Sequence, residues 1–231
     1  MNKLLWALPS TITSISIMSG FLSILSTADG NLKKSSWFII LSIFMDMLDG
    51  RVARLTKKVS EFGQQYDSLA DLVAFGVAPA FLTYNIFIES SLTPSIAFIT
   101  SFLIILSGAF RLARFNINSK QVENFQGMPI PAGAGIISSY TLFCLRYELS
   151  FSKSLLIFLT IAISMLMISN LPYPSGKKKK RGRATRKIVL MAIVAIAMIT
   201  YPVELFALVG LFYLFYGPFS YLFNFISRTA D

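Results

Sequence analysis

The chain has 231 residues, 55% of them apolar and only 14% charged, with 21 phenylalanines and a formal net charge of +10. So little polar surface excludes a soluble globular protein and asks for a lipid solvent. The absence of histidine excludes serine–histidine and cysteine–histidine catalysis and His-ligated metals, and the single cysteine, Cys144, excludes an internal disulfide or a thiolate zinc site.

A helix that crosses a bilayer needs about 20 mostly apolar residues. Eight stretches qualify in chain order: roughly 5–26, 35–55, 63–87, 93–116, 130–148, 153–171, 187–201 and 203–226. The first reads as a span rather than a signal peptide, because it is long, starts with a single Lys3 and has no small-residue cleavage site before polar sequence. Pro202 separates the last two as a tight turn or a kink. The expected fold class is therefore all-α, a polytopic integral-membrane helix bundle. A six-helix core would occupy 1–175, a basic cytoplasmic loop 176–187 and a C-terminal pair of spanning helices 188–231.

The loops set the orientation. With both ends cytoplasmic, 17 of the 21 Lys and Arg lie on the cytoplasmic side, leaving Lys33, Lys34, Arg146 and Lys153 outside. That bias follows the positive-inside rule. Its densest part runs from Ser175 to Lys187, with eight basic residues and no acid. It reads as a topogenic loop against anionic headgroups. No aromatic residue is interleaved with these charges, so nucleic acid is not an expected partner.

The second and third stretches carry the chemistry. In DMLDGRVARLTKKVSEFGQQYDSLAD, Asp46, Asp49, Gly50, Ala53 and Arg54 fall at i, i+3, i+4, i+7 and i+8, on one helical face. Asp67 and Asp71 share a face of the next helix at i and i+4. Ionised carboxylates in apolar helices are expensive and have a functional reason. Four facing one another need cations between them, so the spacing predicts a metal site, a binuclear one. Hard oxygen donors select Mg²⁺ or Mn²⁺, and two such ions can clamp a diphosphate. Gly50 and Ala53 leave room for a ligand against the backbone, or serve helix packing. The rival class is a divalent-cation channel, which predicts acids spread through the bilayer depth rather than clustered on two consecutive helices.

Further along, Arg111 and Arg114 lie one turn apart at a cytoplasmic helix end with Asn116 beside them. They suit a carboxylate or phosphate, or plain interfacial snorkelling. In GMPIPAGAG (127–135), Pro129 and Pro131 set a helix entry and three small residues allow tight packing. Cys144 reads as a packing residue.

The pattern D-x2-D-G-x2-A-R-x8-G-x3-D-x3-D resembles the signature of the CDP-alcohol phosphotransferases at every fixed position, and the likeness extends over about residues 5–171. By that resemblance, Asp46, Asp49, Asp67 and Asp71 would bind two metal ions, with Asp71 also the general base. Gly50, Ala53, Arg54, Ser60 and Gly63 would contact the CDP part of the lipid. So would Ser10 and Thr13, in the helix entry LPSTITSISIMSG. The segments DSLADLVAFGVAPA, GAFRLARFN and GMPIPAGAG resemble the serine-using branch of the family. The resemblance implies transfer of a phosphatidyl group from CDP-diacylglycerol to L-serine with release of CMP; glycerol 3-phosphate is the alternative acceptor. It also implies a homodimer in a prokaryotic cytoplasmic membrane, with the active site facing the cytoplasm.

Overall fold

The computed structural model describes residues 4–56, 60–118, 125–173 and 200–229, with the side chains of 4–9, 53–56, 118, 125, 126, 172 and 221–229 outside that description. Helices α1 (Leu4–Ala28) and α2 (Leu32–Thr56) form an antiparallel hairpin. Its turn is made by Gly30 at φ +76°, a left-handed position open to glycine. Asn31 N donates back to Ser26 O at 2.8 Å, and Asn31 Oδ1 then caps Lys34 N at 3.0 Å. Hydroxyls hold the two helices together in place of bulky side chains. Ser23 and Thr27 meet Ser35 at 2.8 and 2.6 Å, and Ser42 Oγ donates to Ser16 O at 2.9 Å.

The third expected span is one long helix, Glu61–Glu89, but not a uniform one. It consists of α3 (Glu61–Asp71), a π-helical segment over Leu72–Val77 and α4 (Ala78–Glu89). Pro79 supplies a local cause. It has no N–H, and its ring crowds the preceding turn. The wider turn relieves that crowding, and Ala78 N donates five residues back to Val73 O. The segment also lies close against α1, where an added Cβ at Gly20 would come within 2.7 Å of Ala74 Cα.

Helices α5 (Pro94–Asn118), α6 (Ile130–Arg146) and α7 (Lys153–Ile168) complete the bundle around a core that includes Phe75, Phe87, Ile104, Ile130, Ile137 and Met167. Gly133 and Gly135 in GMPIPAGAG face Ile163 and Ile43, so this segment serves packing. The outer surface is equally apolar: Phe110, Phe158, Met165 and Phe212 point away from the bundle. This is the surface of a protein solvated by lipid.

Pro202 opens a final helix, α8 (Pro202–Thr229). Glu204 accepts from Arg146 and Tyr147, Phe206 packs edge-on against Phe44, and Gly210 abuts Ile136. The expected span 187–201 and the basic loop lie outside the described residues, apart from Thr200 and Tyr201. With Glu61–Glu89 counted as one, seven helices are seen among the described residues, four of them long and apolar enough to cross a membrane. The all-α class holds, and a two-residue antiparallel pair, β1 (Phe125–Gln126) with β2 (Pro172–Tyr173), ties the segment before α6 to the one after α7.

The fit at Gly20 generates a stability test. Gly20→Ala pushes a methyl into backbone and should cost about 1–3 kcal/mol, as overpacking does. Gly135→Ala meets only the end of Ile43 at 3.4 Å and should cost less. Thermal unfolding in detergent checks the order; equal midpoints would show that α1 slides freely on the π segment.

Candidate active site

Asp46 and Asp49 stand one turn apart on α2, and Asp67 faces them from α3. One carboxylate oxygen from each of the three lies within 4.8 Å of the other two. Asp49 is buried, and Asp46 and Asp67 are half-buried. The acids therefore cluster on consecutive helices and are not strung through the bilayer. Asp71, at the C-terminal end of α3, stands outside this close trio but within electrostatic reach of Asp46 and Asp67.

Local structure explains how the trio is held. Ser60 ends the chain's approach to α3 as an N-cap, its Oγ accepting from Gly63 N at 3.0 Å. A side chain at position 63 would crowd that Oγ, so Ser60 and Gly63 work together at the helix start. From α1, Thr13 Oγ1 donates to Asp49 Oδ2 at 2.9 Å, and Ser14 Oγ pairs with Tyr66 Oη at 2.8 Å. One hydroxyl thus orients a carboxylate on α2 while its neighbour braces α3. Ser10 is half-buried one turn away, its carbonyl accepting from Ser14 Oγ. Gly50 is half-buried beside Asp49, and the side chains of Ala53 and Arg54 lie outside the described residues.

The donor set fits a hard divalent cation. All three groups are carboxylates, their oxygens converge, and a neutral hydroxyl fixes one of them from behind. Sequence spacing found the carboxylates but missed the support from Thr13. The available signal was a hydroxyl-rich run, Ser10 to Ser16, at the start of an apolar helix.

The structure separates the two arginines of α5. Arg111 is 7% exposed, faces the charges of Asp71 and Asp46, and its Nε has no hydrogen-bond partner among the described residues. Arg114 is engaged elsewhere: Nη1 donates to Ile168 O at 2.9 Å and Asn170 Oδ1 at 3.0 Å, and Nη2 to Ser169 O at 3.0 Å and Met167 O at 3.4 Å. Asn116 bridges α5 to α3, donating to Gln65 Oε1 and accepting from Ser68 Oγ, both at 3.1 Å. Sequence position had left the two arginines indistinguishable.

A carboxylate cluster beside one buried, incompletely paired guanidinium can hold cations and, through them, a polyphosphate, with an anionic second substrate adjacent. Comparison with known proteins agrees. The profile of the CDP-alcohol phosphatidyltransferase family matches residues 6–216. A CDP-diacylglycerol–serine O-phosphatidyltransferase from Helicobacter pylori (strain J99) is 35% identical over 224 residues, covering 95% of this chain and 92% of that protein. The enzyme of the same name from Methanocaldococcus jannaschii is 44% identical over 168 residues, covering 73% and 74%. An archaetidylserine synthase from Methanothermobacter thermautotrophicus is 41% identical over 170 residues, covering 73% and 70%. With the profile spanning nearly the whole chain and the aspartates gathered as its chemistry needs, this integral membrane protein belongs to the CDP-alcohol phosphatidyltransferase family.

Proposed function

We propose that the chain is a CDP-diacylglycerol–serine O-phosphatidyltransferase, making phosphatidylserine and CMP. The reading is carried by the carboxylate trio with Arg111 buried nearby, and by relatives of that name that span almost the full length. Asp46, Asp49, Asp67 and Asp71 are the ligands assigned to two Mg²⁺ or Mn²⁺ ions. Ions held there would supply positive charge against the diphosphate of the donor.

The protein's own groups do the rest. Asp71 accepts the proton of the serine hydroxyl, and that oxygen bonds to the phosphorus that carries diacylglycerol while the bond from this phosphorus to the CMP oxygen breaks. Arg54, on the face of Asp46 and Asp49 by spacing, balances charge on CMP. Ser10, Thr13, Gly50, Ala53, Ser60 and Gly63 shape the CDP-lipid side, Thr13 through its bond to Asp49. Arg111 takes the serine carboxylate, because among the described residues it is the buried cation with an uncommitted N–H. Arg114 and Asn116 frame that pocket without surrendering the bonds they already make. The relatives' names support serine over glycerol 3-phosphate as acceptor.

The 17-to-4 distribution of basic residues supports a site that faces the cytoplasm, in a prokaryotic cytoplasmic membrane. A membrane-impermeant maleimide applied to intact cells should label Lys33→Cys and spare Lys120→Cys; the reverse pattern would invert the topology.

Activity is tested with radiolabelled serine, CDP-diacylglycerol and Mg²⁺ or Mn²⁺. Labelled phosphatidylserine should form, and a chelator should abolish it. Product from glycerol 3-phosphate alone would keep the family chemistry and remove the serine assignment. Asp71→Asn should lower turnover at least about 10²-fold while donor binding persists. Near-parental turnover would reassign the base.

Arg111→Ala should raise the serine requirement about tenfold to 150-fold, the scale of a lost charge-assisted hydrogen bond of about 1.5–3 kcal/mol. The CDP-diacylglycerol requirement should change far less. A serine titration at saturating donor decides it, and an unchanged curve would withdraw the carboxylate role.

A further inference from the structure

We propose that Arg114 is a positioning residue for the acceptor pocket: it clamps the C-terminus of α7 and thereby keeps Arg111 uncommitted and aimed at the aspartates. The inference rests on the reading that Arg111 holds the anionic group of the acceptor.

Two guanidiniums one turn apart repel each other, and the charge of Arg111 faces Asp71 and Asp46. Arg114 is held by the last turn of α7. Three consecutive carbonyls, Met167, Ile168 and Ser169, and the Asn170 side chain receive its two terminal nitrogens. The final carbonyls of a helix lack intrahelical donors and carry its negative dipole end. The α7 terminus thus presents a partial negative charge made of neutral carbonyls, and the planar fork of arginine matches several acceptors at once where lysine cannot.

The surroundings are shaped to this clamp. Gly127 has φ +78°, and an added Cβ there would approach Arg114 Nη2 and Ser169 O to 2.9 Å. Its N–H bonds Leu171 O at 3.0 Å, and Met128 N bonds Leu166 O at 2.9 Å, so the chain entering α6 is laced to the end of α7. The β1–β2 pair continues the lacing. Tyr173 of β2 then seats its ring where Gly217 of α8 has no side chain, stacked on Tyr213. The arrangement ties α5, α6, α7 and α8 at one end of the bundle, one helical turn from Arg111.

Loss of Arg114 would strand those acceptors beside Arg111, the next cation on the same helix. Arg111 would then be drawn from the aspartates toward the α7 end. The consequence is specific: acceptor affinity suffers, whereas the donor, held by α1, α2 and α3, does not.

The test compares purified full-length parent with Arg114→Lys, Arg114→Ala and Asn170→Ala, titrating acceptor at saturating CDP-diacylglycerol and donor at saturating acceptor. The acceptor KM should rise about tenfold in Arg114→Ala, the scale of one or two net hydrogen bonds. It should rise less in Arg114→Lys and least in Asn170→Ala, with donor KM within about twofold throughout. Asn170→Ala removes one of the four acceptors that hold Arg114 and so loosens the clamp while the backbone carbonyls keep their partner, which lets it decide the matter should the arginine variants fold poorly. Lower thermal stability with parental acceptor KM in Asn170→Ala and in any folded Arg114 variant would overturn the proposal and leave a plain helix cap. A parallel rise in both KM values would also overturn it. If the parent consumes glycerol 3-phosphate and ignores serine, the serine assignment falls, and the same comparison run with glycerol 3-phosphate still decides the role of Arg114.

Discussion

Three carboxylate oxygens within 4.8 Å of one another, in helices whose other faces meet lipid or apolar core, set the terms for the rest of the molecule. At an effective dielectric constant of 20, two unit charges that far apart repel by about 3–4 kcal/mol. Three such pairs would cancel a large part of the net stability of an ordinary domain, about 5–15 kcal/mol. Hydrogen bonds alone do not remove that repulsion, and Arg111 is one charge among four aspartates. A site of this kind is stable when cations share it, and it is useful because the cations then attract phosphate. The Thr13 bond, the Ser60–Gly63 cap and the Ser14–Tyr66 brace all hold the two acidic helices in register for that purpose.

The aspartate cluster was legible in the sequence because helical periodicity is a strong local rule, and spacings of three and four residues translate directly into a shared face. Helix existence was legible for the same reason. What spacing could not show depended on contacts distant in sequence. Arg111 and Arg114 look alike at the end of one apolar helix, and only α7, more than fifty residues on, tells them apart. The strands at 125–126 and 172–173 are too short for any periodic signal, and each exists because the other is beside it. The π segment was hidden too: an apolar run keeps its composition when the helix widens, and Pro79 was the sole mark of it. Ser60 was expected at the ligand and is seen capping α3, a role its type and position before Glu61 equally allowed.

The helix that becomes π-helical immediately after Asp71 connects these points. A π turn inserts extra rotation, so residues on either side do not share one continuous stripe. Here the carboxylates occupy α3 and the buried Ala74, Phe75 and Gly76 occupy the wide turn. The break lets one helix present acids toward α2 and, a turn later, small and aromatic residues toward the core. Gly20 admits α1 against that turn, and the same α1 delivers Thr13 to Asp49 nearer its other end. Packing deep in the bundle and carboxylate orientation at the site are therefore coupled through α1.

The arrangement also accounts for a pattern among the relatives. Their names agree on serine, while one of them names an archaetidyl product in place of a phosphatidyl one. In this chain Thr13, Ser14 and Tyr66 brace the helices that carry the aspartates, and the exterior is an apolar surface rich in Phe, Leu and Met side chains. Discrimination between headgroups can draw on buried hydrogen-bonding groups, which exact a large penalty when left unpaired. Discrimination between lipid tails has only dispersion and a fluid neighbour to work with, and apolar pockets distinguish similar hydrocarbons weakly. A scaffold built this way holds its acceptor chemistry fixed while the lipid it modifies is free to differ from one membrane to another.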